Sequence, residues 1–244
     1  MSLSLPRIAG HRGAAAHAPE NTLAGLDAAK RLGVTWVEFD VALSADGHPV
    51  ILHDESLLRT AGLDRLVSEL TLDELGRLDV GAWFGPRFAG ERLPTLAAYF
   101  DRLAALGLGA NIEIKPVTGH EAATAVAVVE AVKAHWPAAL PPPLLSSFSV
   151  SALEVARDLA PGIARGYLVE ELPPGWQATT ARLGAVSVHP WHEPLTQAQV
   201  RALKAAGYTV VVYTVNEALR GRTLLAWGVD CLITDDPPAL SALA

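Results

Sequence analysis

The amino-acid sequence predicts an α/β protein, a TIM (β/α)8 barrel with a β-hairpin and a short insertion after the second strand. The chain has 244 residues, close to the ~250 residues typical of such a barrel. Short β-rich runs alternate with Ala- and Leu-rich segments of helical spacing, which is the pattern of a parallel sheet covered by helices. No linker-like stretch divides the chain, so residues 1–244 are expected to form one domain.

Strand-like runs recur along the whole chain, and most are followed by a helical segment. We predict parallel strands near 7–10, 36–43, 110–115, 144–148, 164–169, 185–189, 209–214 and 230–234. We predict helices near 22–32, 95–106, 119–135, 150–159, 177–183, 196–206 and 217–227. Thr22 is a candidate N-cap, and Gly33 and Gly207 stand where two helices should end.

A further strand-like run, Pro49–His53, lies too close to the second strand for a parallel crossover, which needs about a dozen residues. It is therefore predicted to return as a hairpin, with the Asp-Gly pair at 46–47 in the turn. A two-residue loop would place Asp40 opposite His53, and a four-residue loop would place Glu38 there. Under either register, His53 lies beside a carboxylate of the second strand.

The segment from 54 to 95 returns the chain to the next parallel strand. A short helix is predicted from Thr71 to Leu78, and the aromatic stretch 81–88 is predicted to form a loop or lid. Such an excursion leaves no room for a large inserted domain.

The composition excludes several function classes. Half of the residues are hydrophobic, 18% are charged and the net charge is −7, which argues against a nucleic-acid or anionic-membrane surface because these need clustered Lys and Arg. No apolar run approaches the ~20 residues of a membrane span, so stable membrane association is not expected. A single cysteine, Cys231, and the lack of a secretory signal predict a cytoplasmic location.

Three carboxylates are predicted to converge inside the barrel. Glu38 and Asp40 share one face of the second strand because strand side chains alternate, and Glu113 follows in the next strand. Carboxylates at such close range repel one another unless a cation intervenes, and oxygen ligands favour Mg²⁺ or Ca²⁺. We therefore predict a metal site, and the alternative is a structural ion network with Arg12 and Lys115.

His11 and His53 should flank these carboxylates from the first strand and the hairpin. A pKa near neutrality suits one histidine to accept a proton while the other donates one. Arg12 could bind a phosphate oxygen bidentately, and Lys115 could supply a second positive charge. Structural salt bridges are the alternative role for both basic residues.

Other polar and aromatic residues also fall near predicted strand ends. Glu20 could hold Arg12 or His11 in place, whereas Asn21 or Thr22 could cap the first helix. The remaining candidates, which could contact substrate or merely satisfy loops, are Ser147, His189, Trp191, Tyr213, Asn216, Thr234 and Asp235.

Seven short motifs follow one another along the chain in a recognisable order. They are His11-Arg12-Gly13, Pro19-Glu20-Asn21-Thr22, Glu38-x-Asp40, His53-Asp54, Asn111-x-Glu113-x-Lys115, Tyr213-Thr214-Val215-Asn216 and Thr234-Asp235. Together they resemble the glycerophosphodiester phosphodiesterase family, of the compact bacterial type, from residue 7 to about 238. Each motif alone is weak, but all of them in order are specific. Tyr213 departs from the family, which often has Trp there.

The resemblance implies a TIM barrel that hydrolyses glycerophosphodiesters, as small-molecule partners, to sn-glycerol 3-phosphate and an alcohol. It implies one divalent cation, Mg²⁺ or Ca²⁺. The implied roles are acid–base catalysis by His11 and His53, metal ligation by Glu38, Asp40 and Glu113, and phosphate binding by Arg12 and Lys115. It leaves open the preferred alcohol, the oligomeric state, and whether water or the glycerol hydroxyl is the nucleophile.

Two alternative functions use the same predicted site. One is hydrolysis of a lysophospholipid or a cyclic phosphodiester, with Trp83, Phe84, Phe88 and Trp191 forming an apolar entrance. The other is binding of a phosphate ligand without turnover. A binding protein needs no proton-transfer pair, so the two histidines argue against that function.

Overall fold

A computed structural model describes residues 3–244, and within them eight parallel strands form a closed ring. The ring strands are β1 (Ile8–His11), β2 (Trp36–Leu43), β4 (Gly109–Ile114), β5 (Leu144–Ser147), β6 (Ala164–Val169), β7 (Ser187–Pro190), β8 (Thr209–Val212) and β9 (Cys231–Thr234). The ring closes because β1 pairs with both β2 and β9. A further strand, β3 (Pro49–Ile51), is bonded to β2 outside the ring. The protein is therefore the predicted TIM barrel.

Helices connect the ring strands. They are α1 (Leu23–Arg31), α2 (Leu58–Ala61), α3 (Leu72–Leu75), α4 (Leu96–Leu106), α5 (Glu121–His135), α6 (Val150–Leu159), α7 (Trp176–Leu183), α8 (Gln197–Ala205), α9 (Ala218–Trp227) and α10 (Pro237–Leu240). The side chains of Thr22, Thr95, Ser149 and Thr196 accept backbone N–H bonds at helix starts. None of the helices in the described range is long and apolar enough to cross a membrane.

The alternation of side chains on β2 positions the site. Phe39 points outward, where its ring packs 4.6 Å from that of Tyr99 on α4. Burial of a side chain of this size contributes about 1.5–3 kcal/mol. Because successive strand residues face opposite sides, Glu38 and Asp40 point into the barrel. The apolar outer face therefore determines which side chains reach the interior.

Both predicted registers of the hairpin are wrong. Val41 pairs with Ile51, which leaves a three-residue loop rather than one of two or four residues. Gly47 ends that loop at φ 80°, and this left-handed residue is what a three-residue hairpin loop requires. The predicted proximity is confirmed even so, because His53, two residues beyond β3, lies close enough to Asp40 for their charges to interact.

The insertion between β3 and α4 contains short helices and turns. The predicted helix from Thr71 to Leu78 is shorter, Leu72–Leu75. Thr71 and Glu74 form a capping box at its start. It ends at Gly76, a residue of low helix propensity. Apolar side chains of the insertion form their own buried cluster with β2 and β3, so the insertion is packed against the barrel.

Candidate active site

Three buried carboxylates meet inside the barrel, as the sequence predicted. Asp40 and Glu113 are paired across β2 and β4, and Glu38 lies one step earlier on the same face of β2. One oxygen atom from each of the three side chains lies within 4.8 Å of the other two. All three residues are buried.

The electrostatics of this cluster fit a cation. Burial, and then repulsion from Asp40, raises the pKa of both Glu38 and Glu113. Burial would also raise the pKa of Asp40, but Arg12 and Lys115 hold it well below its usual range. Ionising all three carboxyl groups is therefore costly without another positive charge. Because the donors are all carboxylate oxygens, the cluster could hold a hard divalent metal ion.

His11 lies at the end of β1 between two carboxylates. Its Nε2 atom is 3.8 Å from Glu38 Oε2, and its Nδ1 atom is 2.6 Å from Asp235 Oδ1. Asn216 Nδ2 donates a hydrogen bond to the other Asp235 oxygen at 2.8 Å. Asp235 therefore fixes the ring so that Nε2 faces the carboxylate cluster.

His53 has a separate carboxylate partner in the same geometry. Its Nδ1 atom is 2.6 Å from Asp54 Oδ1, and Arg59 Nε donates to Asp54 Oδ2 at 2.7 Å. Burial lowers the pKa of His53, with Asp40 opposing this shift and Arg12 adding to it. Both histidines thus have Nδ1 engaged by a carboxylate, which leaves Nε2 as the ring nitrogen that could exchange a proton with a ligand.

Glu20, in the loop after β1, connects Arg12 of that loop to Arg59, the partner of Asp54. Arg12 Nη1 donates to Glu20 Oε1 at 2.8 Å, and Arg59 donates two further bonds to the same carboxylate at 2.6 and 2.8 Å. Asn21 Nδ2 donates to Asp40 Oδ2 at 2.9 Å. Arg12 and Asn21 both have positive φ, 49° and 57°, a conformation that costs a non-glycine residue about 1–3 kcal/mol. The surrounding hydrogen bonds stabilise this strained loop.

Lys115 extends from the end of β4 over the carboxylates. Its Nζ atom lies 3.6 Å from Asp40 Oδ1 and 3.6 Å from Glu113 Oε1. Arg12 Nε approaches Asp40 from the other side at 3.4 Å. The ion network that the sequence offered as an alternative is therefore present, and it lies at the wall of a cavity.

That cavity opens at the C-terminal ends of the strands and has a volume of ≈ 580 Å³, within the ~300–1,000 Å³ common for small-molecule sites. Five of the seven residues predicted for catalysis, metal ligation or phosphate binding line it: His11, Arg12, His53, Glu113 and Lys115. Its remaining wall includes Phe148, Glu170, Trp191 and Tyr213. The structure thus brings basic, acidic and imidazole groups together around one space for a ligand.

The supporting candidates occupy several kinds of position. Tyr213 lines the cavity, and its hydroxyl donates to Val169 O at 3.0 Å. Asn216 reaches the site through Asp235. His189 is fully buried, does not line the cavity and is hydrogen-bonded to Ser187 Oγ at 2.8 Å. The structure therefore places His189 in the barrel interior.

Only one of the four aromatic residues suggested for an apolar entrance lines this cavity. Trp191 does, whereas Trp83 and Phe84 pack edge to face at 5.6 Å and Phe84 packs against Phe88 at 5.4 Å. Phe88 lines a different surface pocket, beside His17. The aromatic rings of the stretch 81–88 thus pack against one another, and the Arg59 guanidinium lies 5.7 Å from the Trp83 ring centre, but none of the three rings lines this cavity.

Sequence reasoning missed several contributors to the site. Asp54 was noted only as part of a motif, although its position after His53 marked it as a partner. Arg59 carried no signal, because the carboxylate that it binds, Glu20, is 39 positions away. Phe148 and Glu170 were not singled out, although Phe148 ends the predicted strand 144–148, Glu170 directly follows the predicted strand 164–169, and each directly follows a strand of the structure.

Comparison with known proteins agrees with this geometry. The model of the glycerophosphoryl diester phosphodiesterase family matches residues 11–239. A glycerophosphodiester phosphodiesterase of Caldanaerobacter subterraneus subsp. tengcongensis is 33% identical over 235 residues, which are 96% of this chain and 95% of that protein. A putative glycerophosphodiester phosphodiesterase of Bacillus subtilis is 32% identical over 237 residues, 94% of each chain.

Solved structures give the same result. An Oleispira antarctica phosphodiesterase in complex with the product sn-glycerol-3-phosphate has a TM-score of 0.94 and 42% identity, covering 98% of this chain and 96% of that one. The glycerophosphodiester phosphodiesterase of Thermotoga maritima has a TM-score of 0.78 and 28% identity, covering 100% of both chains. The chain belongs to the glycerophosphoryl diester phosphodiesterase family and is therefore a phosphoric diester hydrolase.

Proposed function

We propose that this protein hydrolyses glycerophosphodiesters to sn-glycerol 3-phosphate and an alcohol, with one divalent cation, Mg²⁺ or Ca²⁺. The observation that carries the proposal is the arrangement of two carboxylate-bound histidines and a cluster of three buried carboxylates, of which His11, His53 and Glu113 line one cavity. The product complex of the Oleispira antarctica relative supports the substrate class.

In this proposal, Glu38, Asp40 and Glu113 hold the cation. A bound divalent cation supplies Lewis-acid polarisation of a phosphate oxygen and a template for the substrate. Arg12 and Lys115 bind the remaining phosphate oxygens. Because their contacts with Asp40 already orient them, they offset the negative charge that grows on the phosphate in the transition state.

His11 and His53 divide the proton transfers. One accepts a proton from the nucleophile, whether that is water or the glycerol hydroxyl, and the other donates a proton to the oxygen of the departing alcohol. The carboxylates of Asp235 and Asp54 hold Nδ1 of the two rings, so that Nε2 exchanges the proton in each. They also stabilise whichever imidazolium forms during the reaction.

Hydrolysis of a lysophospholipid or of a cyclic phosphodiester is the second candidate within the same site. The exposed ring of Trp191 at the cavity favours it. Trp83, Phe84 and Phe88 lie elsewhere and add no apolar surface to this entrance. We therefore propose a glycerophosphodiester as the substrate in preference to a lysophospholipid or a cyclic phosphodiester.

The test is release of glycerol 3-phosphate from glycerophosphocholine by purified protein, with Mg²⁺ or Ca²⁺ added and again after EDTA treatment. We expect release that depends on the metal. Absence of release with either ion would contradict the proposal. Rapid-quench samples then identify the nucleophile, because a cyclic phosphate intermediate forms only when the glycerol hydroxyl attacks.

A further inference from the structure

The side of the cavity formed by the ends of β5 to β8 is aromatic. Phe148, Glu170, Trp191 and Tyr213 directly follow β5, β6, β7 and β8, and all four line the cavity. The rings of Phe148 and Tyr213 meet edge to face at 6.0 Å, and the backbones of Trp191 and Tyr213 form a parallel bridge. We call Phe148, Trp191 and Tyr213 the aromatic rim.

The aromatic rim presents ring surface to the ligand space. Phe148 is 41% exposed and Trp191 is 37% exposed. The hydroxyl of Tyr213 is bonded to the backbone at Val169, so the ring rather than the hydroxyl is left to face the cavity. The negative face of an aromatic ring attracts a cation within about 6 Å of its centre.

Glu170 adds a carboxylate to this rim. It is exposed at the cavity, and within residues 3–244 its carboxylate forms no salt bridge and accepts no hydrogen bond. The acidic residues on the opposite side, such as Asp40 and Glu113, are instead paired with Arg12 and Lys115. Glu170 is thus a free negative charge beside exposed aromatic rings.

One side of the cavity therefore carries positive side chains and the other side a negative one, an arrangement that suits a zwitterionic ligand. Arg12 and Lys115 lie where a phosphate would bind, and Glu170 lies with the aromatic rim. We propose that the rim and Glu170 bind the cationic part of the alcohol, a quaternary ammonium group, and make this enzyme selective for zwitterionic glycerophosphodiesters. The inference rests on the proposed function and specifies its substrate class.

The free carboxylate argues against an acyl chain at the same place. An acyl chain would pack against Phe148 and Trp191, but it would also remove water from Glu170 without supplying a partner, which is unfavourable. A quaternary ammonium group presents methyl groups to the rings and a positive charge to the carboxylate. It has no N–H group that would need a hydrogen-bond acceptor.

The experiment compares two substrates in several variants. The substrates are glycerophosphocholine and its 3,3-dimethylbutyl analogue, in which carbon replaces the charged nitrogen. The two alcohols differ as leaving groups, so the quantity compared between proteins is the ratio of the two kcat/KM values. The variants are Glu170→Gln, Trp191→Leu and, as a matched control, Glu171→Gln, which removes the same charge from a residue that does not line the cavity.

The ratio is the kcat/KM for glycerophosphocholine divided by the kcat/KM for the analogue. We expect Glu170→Gln and Trp191→Leu each to lower this ratio by about tenfold. Glu171→Gln should leave it at the wild-type value. An unchanged or higher ratio in Glu170→Gln would overturn the inference while hydrolysis of both substrates upholds the proposed function. If the wild type hydrolyses neither substrate, the inference and the proposed function are both overturned.

Discussion

The two halves of the barrel mouth are built differently. The charged half, from β9 through β1 and β2 to β4, carries the histidines, the carboxylates and their basic partners, joined by hydrogen bonds to one another. The aromatic half, from β5 to β8, carries exposed rings and, at the cavity, the carboxylate of Glu170, which has no partner among residues 3–244. One half is thus suited to chemistry, and the other to choice of ligand.

On the proposed function, the charged half would carry out the reaction and the aromatic half would set substrate specificity. In the charged half, Asp54 and Asp235 fix the histidines, and Glu20 joins Arg12 to Arg59. A change to one member disturbs the geometry of the others, so effects on rate should be large. In the aromatic half, side chains share few polar bonds, and changes there should alter the preference between substrates more than the rate.

The largest expected effect is that of metal removal from the charged half. EDTA should reduce turnover to background, and Mg²⁺ or Ca²⁺ should restore it. A cation at 100 times its Kd should stabilise the protein by about 2.7 kcal/mol, measured as a rise in Tm. Glu113→Gln should lose both responses, because it removes one of the three proposed ligands.

Glu130→Gln is the matched control for that variant, since Glu130 is an exposed residue of α5 paired with Lys133. It should respond to the cation as the wild type does. A Glu113→Gln variant with wild-type metal affinity would show that the cation binds elsewhere. This result would contradict the assignment of the metal site to the charged half.

The second effect concerns the histidines. His11→Ala and His53→Ala should each lower kcat by about 10²–10⁴-fold, because each removes a proton-transfer group. Tm should change little, since both side chains are partly exposed at the cavity. His48→Ala, at an exposed residue of the hairpin, is the control and should retain wild-type turnover.

A diester with a p-nitrophenyl leaving group sharpens this prediction. A good leaving group needs little protonation, so the variant that lacks the general acid should recover activity on it, and the variant that lacks the base should not. Either variant retaining more than a tenth of wild-type turnover on glycerophosphocholine would contradict the assignment of its histidine.

A smaller effect is expected from Arg59, which touches Glu20 and Asp54 but does not line the cavity. Arg59→Ala should lower kcat by about 10–100-fold, the range typical when an outer partner of site residues is lost, with KM nearly unchanged. Arg59→Lys should recover part of this loss because it keeps a positive charge. Arg65→Ala removes an exposed ion pair in the same insertion and is the control; an equal loss of kcat there would indicate a general effect of the insertion.

The fold was predictable because its signals are local. Thr22 was predicted to cap the first helix and forms that bond, and the helices predicted near 95–106, 150–159 and 196–206 begin after residues of the same capping type, Thr95, Ser149 and Thr196. The register of the hairpin was not predictable, because Asp46-Gly47 fits loops of several lengths. The positive φ of Gly47 and the pairing of Val41 with Ile51 settle the length only in the folded chain.

The same distinction holds for the site. The carboxylates were predictable because strand alternation places Glu38 and Asp40 on one face. The contacts of Arg59 were not, because only the path of the insertion brings it to Glu20. The stretch 81–88 was predicted to be a loop or lid, and it is a loop of turns with one 3-10 helix, whose aromatic packing of Trp83 on Phe84 the composition alone did not reveal.

The smallest effect on turnover, and a distinct effect on stability, is expected beneath the aromatic half. Burial lowers the pKa of His189 to about 3, whereas an unfolded chain has a histidine pKa near 6.5. Below pH ~6.5 the unfolded state therefore binds a proton that the native state does not, and the free energy of unfolding falls as the pH drops towards 3. At pH 5 this loss amounts to about 2 kcal/mol.

Urea unfolding of the wild type and His189→Leu at pH 7 and pH 5 measures this contribution. The variant should lose about 2 kcal/mol less than the wild type between the two pH values, whatever its stability at pH 7. Its kcat should stay close to that of the wild type, because His189 is bonded to Ser187 in the interior and not to the cavity wall. A large fall in kcat would instead place His189 among the residues that act on the substrate and extend the chemistry into the aromatic half.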